Sequence, residues 1–124
     1  MDQPLRPYLK HLTLLCVDAS PLICAIYSDL FEILFHKVLI ATTLKEAQEI
    51  MEEHAVDLLV TDVHLSDGDG MGLIKEVSTQ RPPLPVLLVT EFEDSTVLSD
   101  ALRYKVQHFV KKPFETGDLL DAIE

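Results

Sequence analysis

Five short apolar runs alternate with amphipathic stretches along the 124 residues, which predicts an α/β fold: a doubly wound domain on a five-stranded parallel sheet. The runs DLLV and PVLLV are continuous, as in strands buried on both faces. The length suits one compact domain that buries a core without staples. Right-handed crossovers then place helices on both faces of the sheet.

The elements follow in order. Residues 12–17 read as the first strand. Ser20-Pro21 opens a helix, with Ser as N-cap and Pro at the first helical position. Leu22, Ile23, Ile26, Leu30, Ile33 and Leu34 recur at helical spacing as its apolar face. Residues 37–41 form a second strand. Thr43 and Glu46 make a capping box, and Leu44, Ala47, Ile50, Met51 and His54 share one face of the helix it opens.

Residues 57–61 form the third strand. The loop DVHLSDGDG follows, with Asp67 and Asp69 read as turn formers. A helix over about 71–80 turns Leu73, Ile74 and Val77 inward and stops at Arg81-Pro82-Pro83. Residues 85–90 are the fourth strand. Asp94 or Ser95 caps a helix carrying Val97, Leu98, Ala101 and Leu102. Residues 106–110 are the fifth strand, Lys112-Pro113-Phe114 is a turn, and a last helix begins near Glu115. Leu119, Leu120 and Ile123 start an apolar face with barely three turns of chain left. Residues 1–124 are therefore expected to be the N-terminal piece of a longer protein.

Composition excludes several classes. Apolar residues make up 48 % and charged residues 25 %, as in ordinary globular proteins. No apolar run is long enough for a bilayer, and MDQPLRPYLK is no signal peptide, so a cytoplasmic location is expected. A net charge of −11 argues against gripping nucleic acid or an anionic membrane. Cys16 and Cys24 form no metal or redox motif and read as buried small hydrophobes. His11, His36, His54 and His108 are scattered without ligand spacing.

In such sheets ligands bind beyond the carboxyl ends of the strands. Those ends carry Asp18, Asp62, Thr90-Glu91 and Lys111-Lys112-Pro113. No His or Cys stands at a strand end beside a Ser, and no glycine-rich phosphate loop opens a helix. Two carboxylates, a hydroxyl and a lysine instead suit phosphoryl transfer to a carboxylate nucleophile. Mg2+ would neutralise the clustered acids and the phosphoryl oxygens.

Four segments, in order and at family spacing, resemble the receiver domain of response regulators in two-component signalling, of the chemotaxis-regulator-like kind. They are LLCVDASP, DVHLSDGDG, VLLVTE and HFVKKPF. The resemblance covers essentially the whole chain. It implies a flavodoxin-like (βα)5 fold with strand order 2-1-3-4-5. It makes Asp62 the phosphoacceptor, Thr90 the switch hydroxyl, Lys112 the phosphate-binding lysine and Phe109 the conformational aromatic. It gives Mg2+ to Asp18, Asp62 and the His64 backbone carbonyl, and makes Pro113 a cis proline. Lys111 is expected to face solvent.

The implied function is a phosphoacceptor, not a metabolic enzyme. A sensor histidine kinase would phosphorylate Asp62 and so alter the surface of the fourth predicted helix, fifth strand and fifth helix. The implied partners are that kinase and a downstream output domain or protein. The expected assembly is a monomer or a weak phosphorylation-linked dimer. Three positions depart from the family pattern. Ala19 replaces the second acid of the acidic pair, which weakens the expected Mg2+ site. Glu91 stands where a small residue is usual, and Ser66 where Pro is usual. Ala19 and Glu91 keep open a degenerate receiver that binds proteins without phosphate. The acidic cluster alone also leaves open a small metal-dependent phosphohydrolase.

Overall fold

The chain runs β1 (Thr13–Val17), α1 (Pro21–Phe31), β2 (Lys37–Ala41), α2 (Leu44–Glu53), β3 (Leu58–Thr61), β4 (His64–Leu65), β5 (Gly68–Asp69), α3 (Gly70–Ser78), β6 (Val86–Thr90), β7 (His108–Lys111) and α4 (Thr116–Ile123). This computed structural model describes residues 9–80, 84–90, 99, 103–104, 106 and 108–123. The main sheet has the order β2-β1-β3-β6-β7 and every pairing in it is parallel. With β6 and β7 as the fourth and fifth predicted strands, this is the expected 2-1-3-4-5 order. β4 and β5 form a separate antiparallel hairpin that the sequence reading did not contain.

The apolar runs become strands because both faces are covered: all five residues of β6 are buried. On one face lies an aliphatic core built from Ala47, Leu73, Ile74 and Val77 against Leu15, Leu59 and Leu88. On the other lies an aromatic core of Tyr27, Phe31 and Phe35 against Cys16, Val60 and Leu119. Tyr27 stacks on Phe31 with centroids 6.2 Å apart, and Phe35 meets Phe31 edge-on at 5.8 Å.

Several expected details shift for identifiable reasons. The Asp57 carboxylate accepts the Thr13 N–H at 2.8 Å, so Asp57 ties down the start of β1 and β3 begins one residue later. The inward face of α1 centres on Cys24, Tyr27 and Phe31, whereas Leu22 and Ile33 are exposed. Ile33 lies past the end of the helix. Ser20 does cap α1, accepting the Ile23 N–H. Thr43 caps α2 through the Glu46 N–H, but Glu46 returns to the N–H of Thr42, one residue earlier than a capping box requires. The last predicted strand is displaced to His108–Lys111, in register with β6. The Arg81-Pro82-Pro83 stop, Glu91 and most of the fourth predicted helix lie outside the described residues.

Candidate functional site

β1 and β3 are neighbours, so the residues that follow them emerge side by side. Asp18 and Asp62 are both buried there. Each backbone is fixed by the adjacent strand: the Asp18 N–H donates to Ala41 and the Asp62 N–H to Val17. Each side chain is held locally through one oxygen. Asp18 Oδ1 accepts the Ser20 N–H at 2.9 Å. Asp62 Oδ1 accepts the Val63 and His64 N–H groups at 2.6 and 3.3 Å.

The other two oxygens meet at one cation. Lys112 Nζ lies 2.6 Å from Asp18 Oδ2 and 2.7 Å from Asp62 Oδ2. Lys112 is aimed there by its own backbone, whose N–H donates to the Thr90 carbonyl at 2.9 Å, and the Lys112–Pro113 bond is cis. Burial pulls the Lys112 pKa down, but the hydrogen bonds and charges of Asp18 and Asp62 outweigh it and the net shift is upward. Lys111, one residue earlier, is exposed.

Thr90 is fully buried at the end of β6, opposite Lys111 in the ladder. Phe109 is half-buried and packs on the aliphatic core. The His64 side chain is exposed; its backbone reaches the site through the N–H given to Asp62. Both cysteines are buried free thiols. Burial first, and then neighbouring negative charge, pushes both thiol pKa values up, which keeps them protonated and removes them as nucleophiles.

Four residues that the sequence reading treated as turn formers or passed over shape the acceptor loop and its surroundings. The Thr61 hydroxyl donates to the Asp62 carbonyl at 3.0 Å. The Gly70 N–H donates to the Val63 carbonyl at 2.6 Å, and a Cβ at Gly70 would collide with the Asp62 carbonyl oxygen. Asp67 caps a different element: its carboxylate accepts the Leu44 and Lys45 N–H groups at 2.7 and 3.0 Å, at the start of α2. Asp69 is the N-cap of α3, accepting the Met71 N–H. The Asp-Gly pair itself was visible in the sequence. Its purpose, a close approach of α3 to the acceptor's backbone, was not.

Mg2+ is the ion that the sequence resemblance implies for this acidic edge. One ammonium touches both Oδ2 atoms, so a single small cation has access to both carboxylates. Among the described residues no group of three His, Cys, Asp or Glu side chains is placed to share a metal. Ala19 is exposed and supplies no ligand. The site therefore fits the ion with two carboxylates, Asp18 and Asp62, and leaves the rest of the coordination sphere to backbone and water.

The profile of the response regulator receiver domain matches residues 14–124. The regulatory protein ZraR of Escherichia coli is 26 % identical over 92 % of this chain and 26 % of its own length. The dicarboxylate transport regulator DctD of Pseudomonas aeruginosa is 27 % identical over 97 % of this chain and 26 % of its own. The chain thus spans about a quarter of the length of these relatives. A CheY-like receiver domain from Methanospirillum hungatei superposes with a TM-score of 0.84 at 25 % identity, covering 91 % of this chain and 90 % of that one. The chemotaxis protein CheY4 of Vibrio cholerae superposes at 0.82 with 22 % identity, covering 91 % and 96 %.

Proposed function

The chain belongs to the response regulator receiver domains, signalling modules rather than metabolic enzymes, and from that premise we propose that Asp62 accepts a phosphoryl group from a sensor histidine kinase. The observation that carries the reading is Lys112 Nζ at 2.7 Å from Asp62 Oδ2 and 2.6 Å from Asp18 Oδ2, which fixes a positive charge between the two strand-end carboxylates. In the reaction a carboxylate oxygen of Asp62 attacks phosphorus and forms the O–P bond. The N–P bond to the donor imidazole breaks, and its electron pair stays on the nitrogen, which takes a proton from solvent. Lys112 then faces the phosphoryl oxygens, so its hydrogen bonds grow stronger as charge gathers there.

Asp18 and Asp62, with the His64 carbonyl, would hold Mg2+, and the chemistry it supplies when bound is neutralisation of phosphoryl oxygens. With two carboxylates instead of three the affinity is low. Thr90 and Phe109 carry the switch: the hydroxyl turns to the new anion, and the aromatic repacks against the aliphatic core. The altered surface includes β7 and α4 and engages an output domain or protein. The acidic domain itself takes no nucleic acid, and it is a monomer or weakly dimerises when phosphorylated. Among the described residues no helix is long and apolar enough to cross a membrane.

Incubation with a small acyl phosphate and Mg2+ should add one phosphoryl group by intact mass, and Asp62→Asn should add none. Undiminished labelling of that variant sinks the assignment. A second reading, a receiver that binds its partner without phosphate, draws on Ala19 and on the closed contact of Lys112 with both acids. An unlabelled native chain would favour it.

A further inference from the structure

We propose that Lys112 is the antagonist of divalent cations in this chain: its ammonium holds the point between Asp18 and Asp62, and an ion enters there only as that ammonium leaves. The inference deepens the phosphoacceptor reading of the same pocket and rests on its assignment of the acidic edge.

The oxygens divide into two kinds. The Oδ1 atoms are bonded to backbone amides of Ser20, Val63 and His64, which the chain holds in place. The Oδ2 atoms are the mutually facing pair, and their shared partner is the Lys112 ammonium, at 2.6 and 2.7 Å. Of these donors the ammonium is the movable one, on a four-carbon stem.

Charge matching sets the outcome. Two carboxylates and one ammonium leave a single net negative charge. A divalent ion added beside the ammonium would overshoot to net positive and press two cations together. With the ammonium gone, two carboxylates match a divalent ion. A third acid at position 19 would change this, because three carboxylates carry enough charge for the ion and the ammonium together. Ala19 removes that option. Lysine and metal, which three acids would accommodate together, become alternatives in this pocket.

Calorimetric titration of MgCl2 into the unphosphorylated chain tests this without relying on phosphoryl transfer. Lys112→Met should bind Mg2+ on the order of 10- to 100-fold more tightly than the native chain, the value of charged hydrogen bonds no longer to be broken. Lys111→Met should match the native chain. In Ala19→Asp, which restores room for both cations, the further gain from Lys112→Met should shrink. Equal or weaker Mg2+ binding by Lys112→Met overturns the proposal. Circular dichroism checks that the variant folds, and a second readout uses the native chain itself. The Lys112 side-chain NMR signals should move in step with Mg2+ saturation, and signals that stay put while the site fills overturn it equally. A chain that shows the competition but takes no label keeps this inference and loses the phosphoacceptor reading. Labelling without competition does the reverse.

Discussion

The two faces of the sheet are built from different materials and brace different parts of the site. The aliphatic face, under α2 and α3, braces the acceptor loop through backbone contacts: Asp67 onto the start of α2 and Gly70 against the Asp62 carbonyl. The aromatic face, under α1 and α4, carries the lysine turn, where Phe114 stacks on Tyr27 with centroids 6.3 Å apart. The carboxylate is thus positioned by hydrogen bonds and close backbone packing, and the ammonium by a turn seated on rings. Asp18 joins the two sides, tied to the α1 cap at Ser20 and sharing the ammonium with Asp62.

The largest effect is expected on the aromatic face. Phe31 is fully buried between Tyr27 and Phe35, and Phe31→Ala should cost about 3–5 kcal/mol in chemical denaturation, as for other buried Phe truncations. A small loss would show that the rings are filler rather than the foundation of that side.

On the aliphatic face the corresponding break is Gly70→Ala. Its new Cβ meets backbone, which cannot rotate away, so a loss of about 1–3 kcal/mol is expected from overpacking. Phosphoryl labelling should fall by roughly 100-fold, the scale on which a misplaced reacting group loses rate. Gly72→Ala is the control, because a Cβ there meets nothing within 4 Å. In the helix it should gain about 0.5–1 kcal/mol. Similar behaviour of the two alanines would refute the bracing role of Gly70.

Tyr27→Phe sharpens the comparison. The Tyr27 hydroxyl is buried and has no hydrogen-bond partner among the described residues. Burial first, then the nearby Asp18 charge, pushes its pKa upward, so it stays a neutral phenol. Removing it should keep the stack and stabilise the fold by about 1 kcal/mol, since an unpaired buried hydroxyl is a cost. Lower stability in urea would mean that the hydroxyl has a partner that matters.

The smallest effects are titrations, one from each side. Backbone N–H bonds from Lys45 and then Leu44 hold the Asp67 pKa below the usual carboxylate range. Its contribution is present above about pH 4 and is lost as pH falls through the lowered folded value. Asp67→Asn should flatten that acid limb in pH-dependent denaturation. Lys112 works in the opposite direction, its pKa being raised in the fold. Its contribution is present below about pH 10.4 and is lost as pH climbs through the folded value, an alkaline loss that Lys112→Met should lack.

The sequence by itself determined the parallel α/β fold, because continuous apolar strands and amphipathic helices leave few other ways to bury both faces. It also marked Asp18, Asp62, Thr90 and Lys112, because ligand sites of such sheets gather at the strand ends. Tertiary structure decided the rest. Asp67 looks like any turn aspartate until the hairpin brings it 23 residues back along the chain to Leu44. Nothing near Gly70 in the chain announces that α3 passes within contact of the Asp62 carbonyl. Lys112 was expected as the phosphate-binding lysine. Its bond to Asp18, 94 residues away, follows from β1 and β3 ending side by side. Local pattern reports which residues are buried and which elements form, since propensity and periodicity act over a few residues. Which carboxylates share one ammonium is set by the register of strands far apart in sequence, and that exists only once the sheet has closed.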